Sequence, residues 1–121
     1  MSLKPQSDRP VVVVPSSPKW GIVAEPGETV NSIRFECADG AYSYPYHTLT
    51  RWVLFAGQPE QLVIEAGSDK VTVCGRELEV VRDGLDTGRL RLVRTVGERY
   101  RDIEGGAIVT KLKVERLKPE D

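Results

Sequence analysis

The sequence predicts a mainly β fold, a small barrel-like antiparallel sheet carrying one short helix. Three observations carry that expectation. An Asp39-Gly40 pair sits between two alternating runs, residues 33–37 and 42–46; this is the strongest short-range hairpin signal, because a type I′ turn needs positive φ at both central residues. A second pair of alternating runs, residues 61–65 and 70–74, flanks Ala66-Gly67-Ser68-Asp69. Residues 75–88 space Leu78, Val81 and Leu85 at i, i+3 and i+7, one stripe of a short helix that Gly88 would close.

At 121 residues the chain is most simply one domain. We divide it into an extended, proline-rich lead-in (1–29) with an edge strand, a β-rich domain (30–118) and a short tail (119–121). A charged fraction of 29% with 40% hydrophobic residues is ordinary for a soluble globular chain. No apolar run approaches the roughly 20 residues of a transmembrane helix, and the N-terminus lacks the apolar stretch of a signal peptide. The expectation is a cytoplasmic protein with no membrane partner. Net charge is −1, so no field of the whole protein marks a nucleic-acid binder.

In chain order, the lead-in carries Pro5, Pro10, Pro15, Pro18 and Pro26, too many for a helix or a central strand. Within it Val11-Val12-Val13-Val14 reads as an edge strand or as a segment laid on a partner subunit, and Trp20-Gly21-Ile22-Val23 as a second short strand. In the first hairpin, a turn at Asp39-Gly40 pairs Cys37 with Tyr42, Phe35 with Tyr44 and Ile33 with Tyr46. These six side chains then share one buried face, while Arg34, Glu36 and Ser43 face water. Pro45 has no N–H for the ladder, so the chain should turn a corner before Leu49.

Residues 47–56 alternate Leu49, Val53 and Phe55 with Thr50, Trp52 and Leu54, which leaves both faces partly apolar. Such a strand is buried on both sides or lies at a subunit interface. The second hairpin places Leu62 and Ile64 with Val71 and Val73, and Val63 with Thr72 and Cys74. For residues 75–88 the competitor to the helix is a strand over 78–81 turning at Asp83-Gly84. Residues 89–96 and 107–117 alternate as strands, with a polar loop over 97–106 between them.

The stretch from about 31 to 95 resembles a group of small uncharacterised bacterial proteins. The shared features are a D-G hairpin, then P-Y-H-x-L, then V-x-V-x-G-x-x-L. Here these are Asp39-Gly40, Pro45-Tyr46-His47-Thr48-Leu49 and Val71-Thr72-Val73-Cys74-Gly75-Arg76-Glu77-Leu78. The resemblance implies a small Sm/SH3-like barrel. Sm proteins carry their helix ahead of the barrel, whereas the helix expected here follows the second hairpin, and the sequence holds no Sm RNA-binding signature.

Four groups of residues bear on chemistry. Asp86-Thr87-Gly88 matches the triplet of dimeric aspartic proteases, in which two such carboxylates share a proton. Arg82-Asp83-Gly84 precedes it where that family has an apolar strand, and Asp-Thr-Gly is an ordinary turn. His47 is the single histidine; together with Tyr46 and Trp52 it marks a candidate ligand or polar site at the bend after Pro45. Arg89, Arg91, Arg94, Arg99 and Arg101, with Glu98 the only acid among them, form a local basic cluster. Of these, Arg89, Arg91, Arg99 and Arg101 are the candidate nucleic-acid contacts, with the tyrosines or Trp52 as stacking platforms. Cys37 and Cys74 fit neither a zinc pattern nor a disulfide framework and read as core thiols.

No Gly-rich phosphate loop or metal-ligand spacing is present in the sequence, so neither cofactor nor metal is expected. The sum is a non-enzymatic binding or assembly module that partners itself as a homo-oligomer. A single-stranded RNA binder is the alternative and an Asp86 protease the remote one.

Overall fold

The computed structural model describes residues 19–96 and 107–117. Two four-stranded sheets enclose one core. Sheet 1 contains β1 (Gly21–Val23), β2 (Ser32–Cys37), β3 (Gly40–Pro45) and β7 (Leu90–Arg94), in the order β1-β7-β2-β3. Sheet 2 contains β4 (Leu49–Phe55), β5 (Glu60–Ala66), β6 (Asp69–Arg76) and β8 (Ile108–Arg116), in that order. One helix, α1 (Glu79–Asp86), packs against β4 and β7. The mainly β class with one short helix is therefore seen. Every strand pair is antiparallel except β2–β7, which is parallel. Among the described residues no ladder joins the two sheets into a closed barrel. The chain passes from β3 to β4, an edge strand of each sheet, through a 3-10 turn at Tyr46–Thr48, and so changes sheets there instead of pairing.

The first hairpin forms where expected, but its register is displaced by two residues. Phe35 pairs with Tyr42 and Ile33 with Tyr44, so the turn residues are Ala38-Asp39 and Gly40 already faces Cys37. Neither Ala38 nor Asp39 has positive φ; Gly40 takes φ +151. A turn with right-handed central residues and glycine at its last position satisfies this sequence without placing Asp39 in the left-handed region. A shift of two preserves the period of two, so the faces are as expected. Ile33 and Phe35 are fully buried, while Cys37, Tyr42, Tyr44 and Tyr46 are half-buried. Phe35 meets Tyr44 with ring centroids 6.0 Å apart.

Three β-bulges break the alternation that the sequence suggests. On β4 the pairing steps from Leu49–Ala66 to Arg51–Glu65, leaving Thr50 as the extra residue. Leu49 therefore joins Trp52 and Leu54 against the core, and Arg51, Val53 and Phe55 face outward. On β7 the extra residue is Arg91, so Leu90 and Val93 are both fully buried although three positions apart. On β8 it is Thr110, whose hydroxyl donates to the Cys74 carbonyl at 3.2 Å. Each bulge bends its strand and raises the local twist. Gly21 and Gly75 sit beside two of them, where the neighbouring backbone leaves no room for a Cβ.

The core joins Ile33 and Phe35 of sheet 1 to Leu62, Ile64, Val71 and Val73 of sheet 2, with Leu78, Val81 and Leu85 from the helix segment. No polar side chain among the described residues is buried in it. Burying each such side chain is worth roughly 1.5–3 kcal/mol. Trp20 and Ala24 also lie inside, so the end of the proline-rich lead-in belongs to the folded unit. The helix begins where the Glu60 carboxylate accepts the Leu78 N–H at 2.8 Å, a cap from a neighbouring strand that also favours the positive end of the helix. It stops in a Schellman arrangement. The Arg89 N–H reaches the Gly84 carbonyl, the Gly88 N–H reaches that of Leu85, and Gly88 takes φ +70.

Candidate binding face

The outward side chains of sheet 2 fall into three rows across its four strands. Arg51, Glu65, Lys70 and Glu115 pair in sequence across β4, β5, β6 and β8. The next row is Val53, Val63, Thr72 and Lys113; the third is Phe55, Gln61, Cys74 and Lys111. The inward neighbours Leu62, Ile64, Val71 and Val73 are fully buried, which fixes these positions on the outer face.

Charge alternates along the first row. Arg51 meets Glu65 at 3.4 Å, and Lys70 meets Glu115 at 3.9 Å; Glu115 also takes Lys113 at 3.5 Å. Exposed pairs of this kind contribute about 0–1 kcal/mol each, so the row adds little to stability. The short side chains Val63 and Thr72 lie between longer ones and leave a shallow depression of about 280 Å³, floored in part by Cys74. On its β4 side the apolar stripe continues through Val53 to Phe55, which is 51% exposed. This face therefore combines an uncovered apolar stripe, three lysines and an ordered row of charges.

Tyr46 and Trp52, singled out from the sequence, are instead tied to β7 and to the end of α1. The Tyr46 hydroxyl donates to the Leu90 carbonyl at 2.7 Å, and burial pushes its phenol up to about 12. The Trp52 indole N–H donates to Asp86 at 2.8 Å, tying β4 to the helix. His47 is exposed in the 3-10 turn. The triplet Asp86-Thr87-Gly88 is the end of the helix, and the Asp86 carboxylate is held by Trp52 and, at 3.8 Å, by Arg82.

Each of the described arginines of this cluster has a partner within the chain. Arg89 Nε contacts the Thr87 hydroxyl at 3.4 Å, Arg91 pairs with Glu28 at 3.8 Å, and Arg94 donates to the Lys19 carbonyl at 2.9 Å. Arg99 and Arg101, like Val11–Val14, lie outside the described residues.

Tyr42 and Tyr44 are tied within the chain as well. Tyr42 donates to Asp39 at 3.0 Å and Tyr44 to Asp69 at 2.7 Å. Burial, reinforced by that bond to Asp69, raises the Tyr44 phenol, and burial beside Asp39 raises the Cys37 thiol. Cys37 and Cys74 are both free thiols. Among the described residues no group of three or more His, Cys, Asp or Glu side chains is placed to hold a metal. Nor is any helix among them long and apolar enough to cross a membrane. The comparisons with protein-family models, curated proteins and solved structures found no match.

The binding face escaped sequence reasoning because its fourth column depends on β8 pairing with β6 across more than thirty residues. Its local signal is the alternation over residues 61–65, 70–74 and 111–115, which sets Val63 with Thr72 and Cys74 but does not show that β8 extends these rows.

Proposed function

We propose that this chain is a non-enzymatic binding or assembly module that acts as a homo-oligomer in the cytoplasm, with the outer face of sheet 2 as its working surface. The observation that carries the reading is the stripe Val53, Phe55 and Val63, apolar, only partly covered and not needed by the core. Apolar surface left open on an ordered sheet, framed by charge, is the usual mark of a contact surface. Two unlinked thiols suit a reducing compartment. A barrel-like Sm/SH3 arrangement, shared with the small bacterial proteins that residues 31–95 resemble, fits two further features. One is the corner at Tyr46–Thr48; the other is the bond from the Val96 N–H to the Val109 carbonyl, which links the end of β7 to β8.

Light scattering on a gel-filtration column tests the proposal against a protomer of 13.5 kDa. A mass of two or more protomers is expected; a monomer at every concentration refutes self-assembly. The second reading, a single-stranded RNA binder, is favoured by Lys70, Lys111 and Lys113 around the shallow depression, with the exposed ring of Phe55 at the opposite edge of the same face. It predicts excess absorbance at 260 nm in the purified protein and RNA affinity that falls steeply with salt.

A further inference from the structure

We propose that the outer face of sheet 2 is the contact surface of a two-fold symmetric homodimer, with the axis parallel to the strands and passing between β5 and β6. The inference rests on the assembly reading above and adds the partner and the geometry. A rotation about this axis exchanges β4 with β8 and β5 with β6 and leaves each row at its own height. The first row, Arg51, Glu65, Lys70 and Glu115, then meets its own reverse. Arg51 comes opposite Glu115 of the partner subunit, and Glu65 comes opposite Lys70 of the partner subunit. All four contacts join opposite signs, and each charge keeps its opposite neighbours within its own chain. Such isologous self-complementarity is what a closed dimer requires.

The other rows agree with the same axis. Phe55, half-exposed, comes opposite Lys111 of the partner subunit, an arrangement in which an ammonium is drawn to an aromatic face. Val53 comes opposite Lys113 of the partner subunit, whose methylene stem can cover it. An axis across the strands would instead set Arg51 against Phe55 of the partner subunit and Glu65 against Gln61 of the partner subunit. It would pair only Glu115 with Lys111 of the partner subunit, two opposite-charge couples in place of four, and would bring Lys113 against Lys113 of the partner subunit. An extended polyanion is a poorer occupant, since it would lie against Glu65 and Glu115 as well as the lysines.

Three rows on four strands, at about 4.8 Å between strands and about 6.7 Å between same-face residues, cover on the order of 400 Å² in projection. That is a small interface, so the dimer is expected to be concentration-dependent and to weaken with salt.

The test is a charge exchange read by light scattering and native mass spectrometry. In Glu65→Lys both facing couples become positive; in Lys70→Glu both become negative. Each variant alone should dimerise on the order of 100-fold more weakly than wild type, two reversed couples acting together. Mixed in equal amounts, the two should form a heterodimer, because every facing couple then regains opposite signs. Circular dichroism melts confirm that each variant is folded, and the mixing result stands even if one is somewhat less stable. Dimers of both variants as tight as wild type, or no heterodimer on mixing, overturn the proposed interface. A larger wild-type assembly indifferent to both changes overturns it while leaving the assembly reading intact. A wild-type monomer at all concentrations overturns both, and retained RNA lost in Lys70→Glu would assign the face to nucleic acid instead.

Discussion

Gly75→Ala should be among the most destabilising single-methyl additions this chain can receive. A Cβ at Gly75 would lie far inside van der Waals contact with the Ile108 carbonyl oxygen, 2.9 Å from that carbonyl carbon and 3.1 Å from the Val109 Cα. All three obstacles are backbone, so no rotamer change relieves them; β8 must move away from β6. The displaced region holds the Thr110 hydroxyl bond to Cys74 and the Val96–Val109 backbone bond between the sheets. Overpacking a tight site costs about 1–3 kcal/mol, and a weakened hydrogen bond adds about 1 kcal/mol. A loss of about 3 kcal/mol follows. With an unfolding entropy of about 2.1 cal/mol/K per residue, this lowers Tm by about 12 °C.

Urea denaturation and thermal melts would measure it, with Gly84→Ala as the internal control. There the added Cβ meets the Leu90 Cβ at 3.1 Å, its Cδ1 at 3.4 Å and its Cα at 3.7 Å, a far looser contact than at Gly75 that a shift of a few tenths of an ångström relieves. Replacing glycine inside a helix also gains up to about 1 kcal/mol, so the control should stay within about 1 kcal/mol of wild type. If Gly75→Ala costs less than about 1 kcal/mol, or no more than Gly84→Ala, the close approach of β6 and β8 is wrong.

Three other outcomes are expected. Trp52→Phe should cost about 1 kcal/mol in chemical denaturation by removing the indole bond to Asp86, whereas Asp86→Asn, which keeps an acceptor oxygen, should cost less than half as much. In the pH dependence of stability, Tyr46 is raised to about 12 by burial, and Tyr44 is raised by burial and its bond to Asp69. Their stabilisation is therefore complete below the unfolded phenol value of about 10 and fades as pH climbs through the folded values. Urea midpoints should fall between pH 9 and pH 11.5, and the fall should be shallower in a Tyr44→Phe, Tyr46→Phe double variant. A double-mutant cycle with Tyr44→Phe and Asp69→Asn should return a coupling of about 1 kcal/mol for the 2.7 Å bond that links the two sheets; strict additivity would contradict that bond.

The elements governed by local chemistry were legible in the sequence. The second hairpin follows from its alternation, the helix from its stripe and from glycine at the one position after it that needs positive φ, and the corner after Pro45 from the missing N–H. Phase was legible only until a bulge intervened. Thr50, Arg91 and Thr110 are unexceptional residues, and what makes each the extra one is the strand opposite it. That is why the alternation groups Leu49 with Val53 and Phe55, whereas the bulge sets it with Trp52 and Leu54. The hairpin register failed for a related reason, since Asp39-Gly40 can serve a turn in two frames that bury the same face. Tyr46 and Trp52 stand near functional-looking residues, yet their polar atoms are engaged in joining β7 and the helix to their neighbours.

The position of β7 between β1 and β2 also fixes the order in which the molecule can be assembled. The β2–β3 and β4–β5–β6 hairpins close over short spans of chain and can form while synthesis is still under way. Sheet 1 has to wait, because its second strand is supplied by residues nearly seventy positions beyond β1. Closing so long a loop is slow, and the lone parallel pairing cannot begin as a hairpin. A nascent chain stopped before Leu90 would hold β1 with nothing to pair against, and one edge of β2 open to any passing strand.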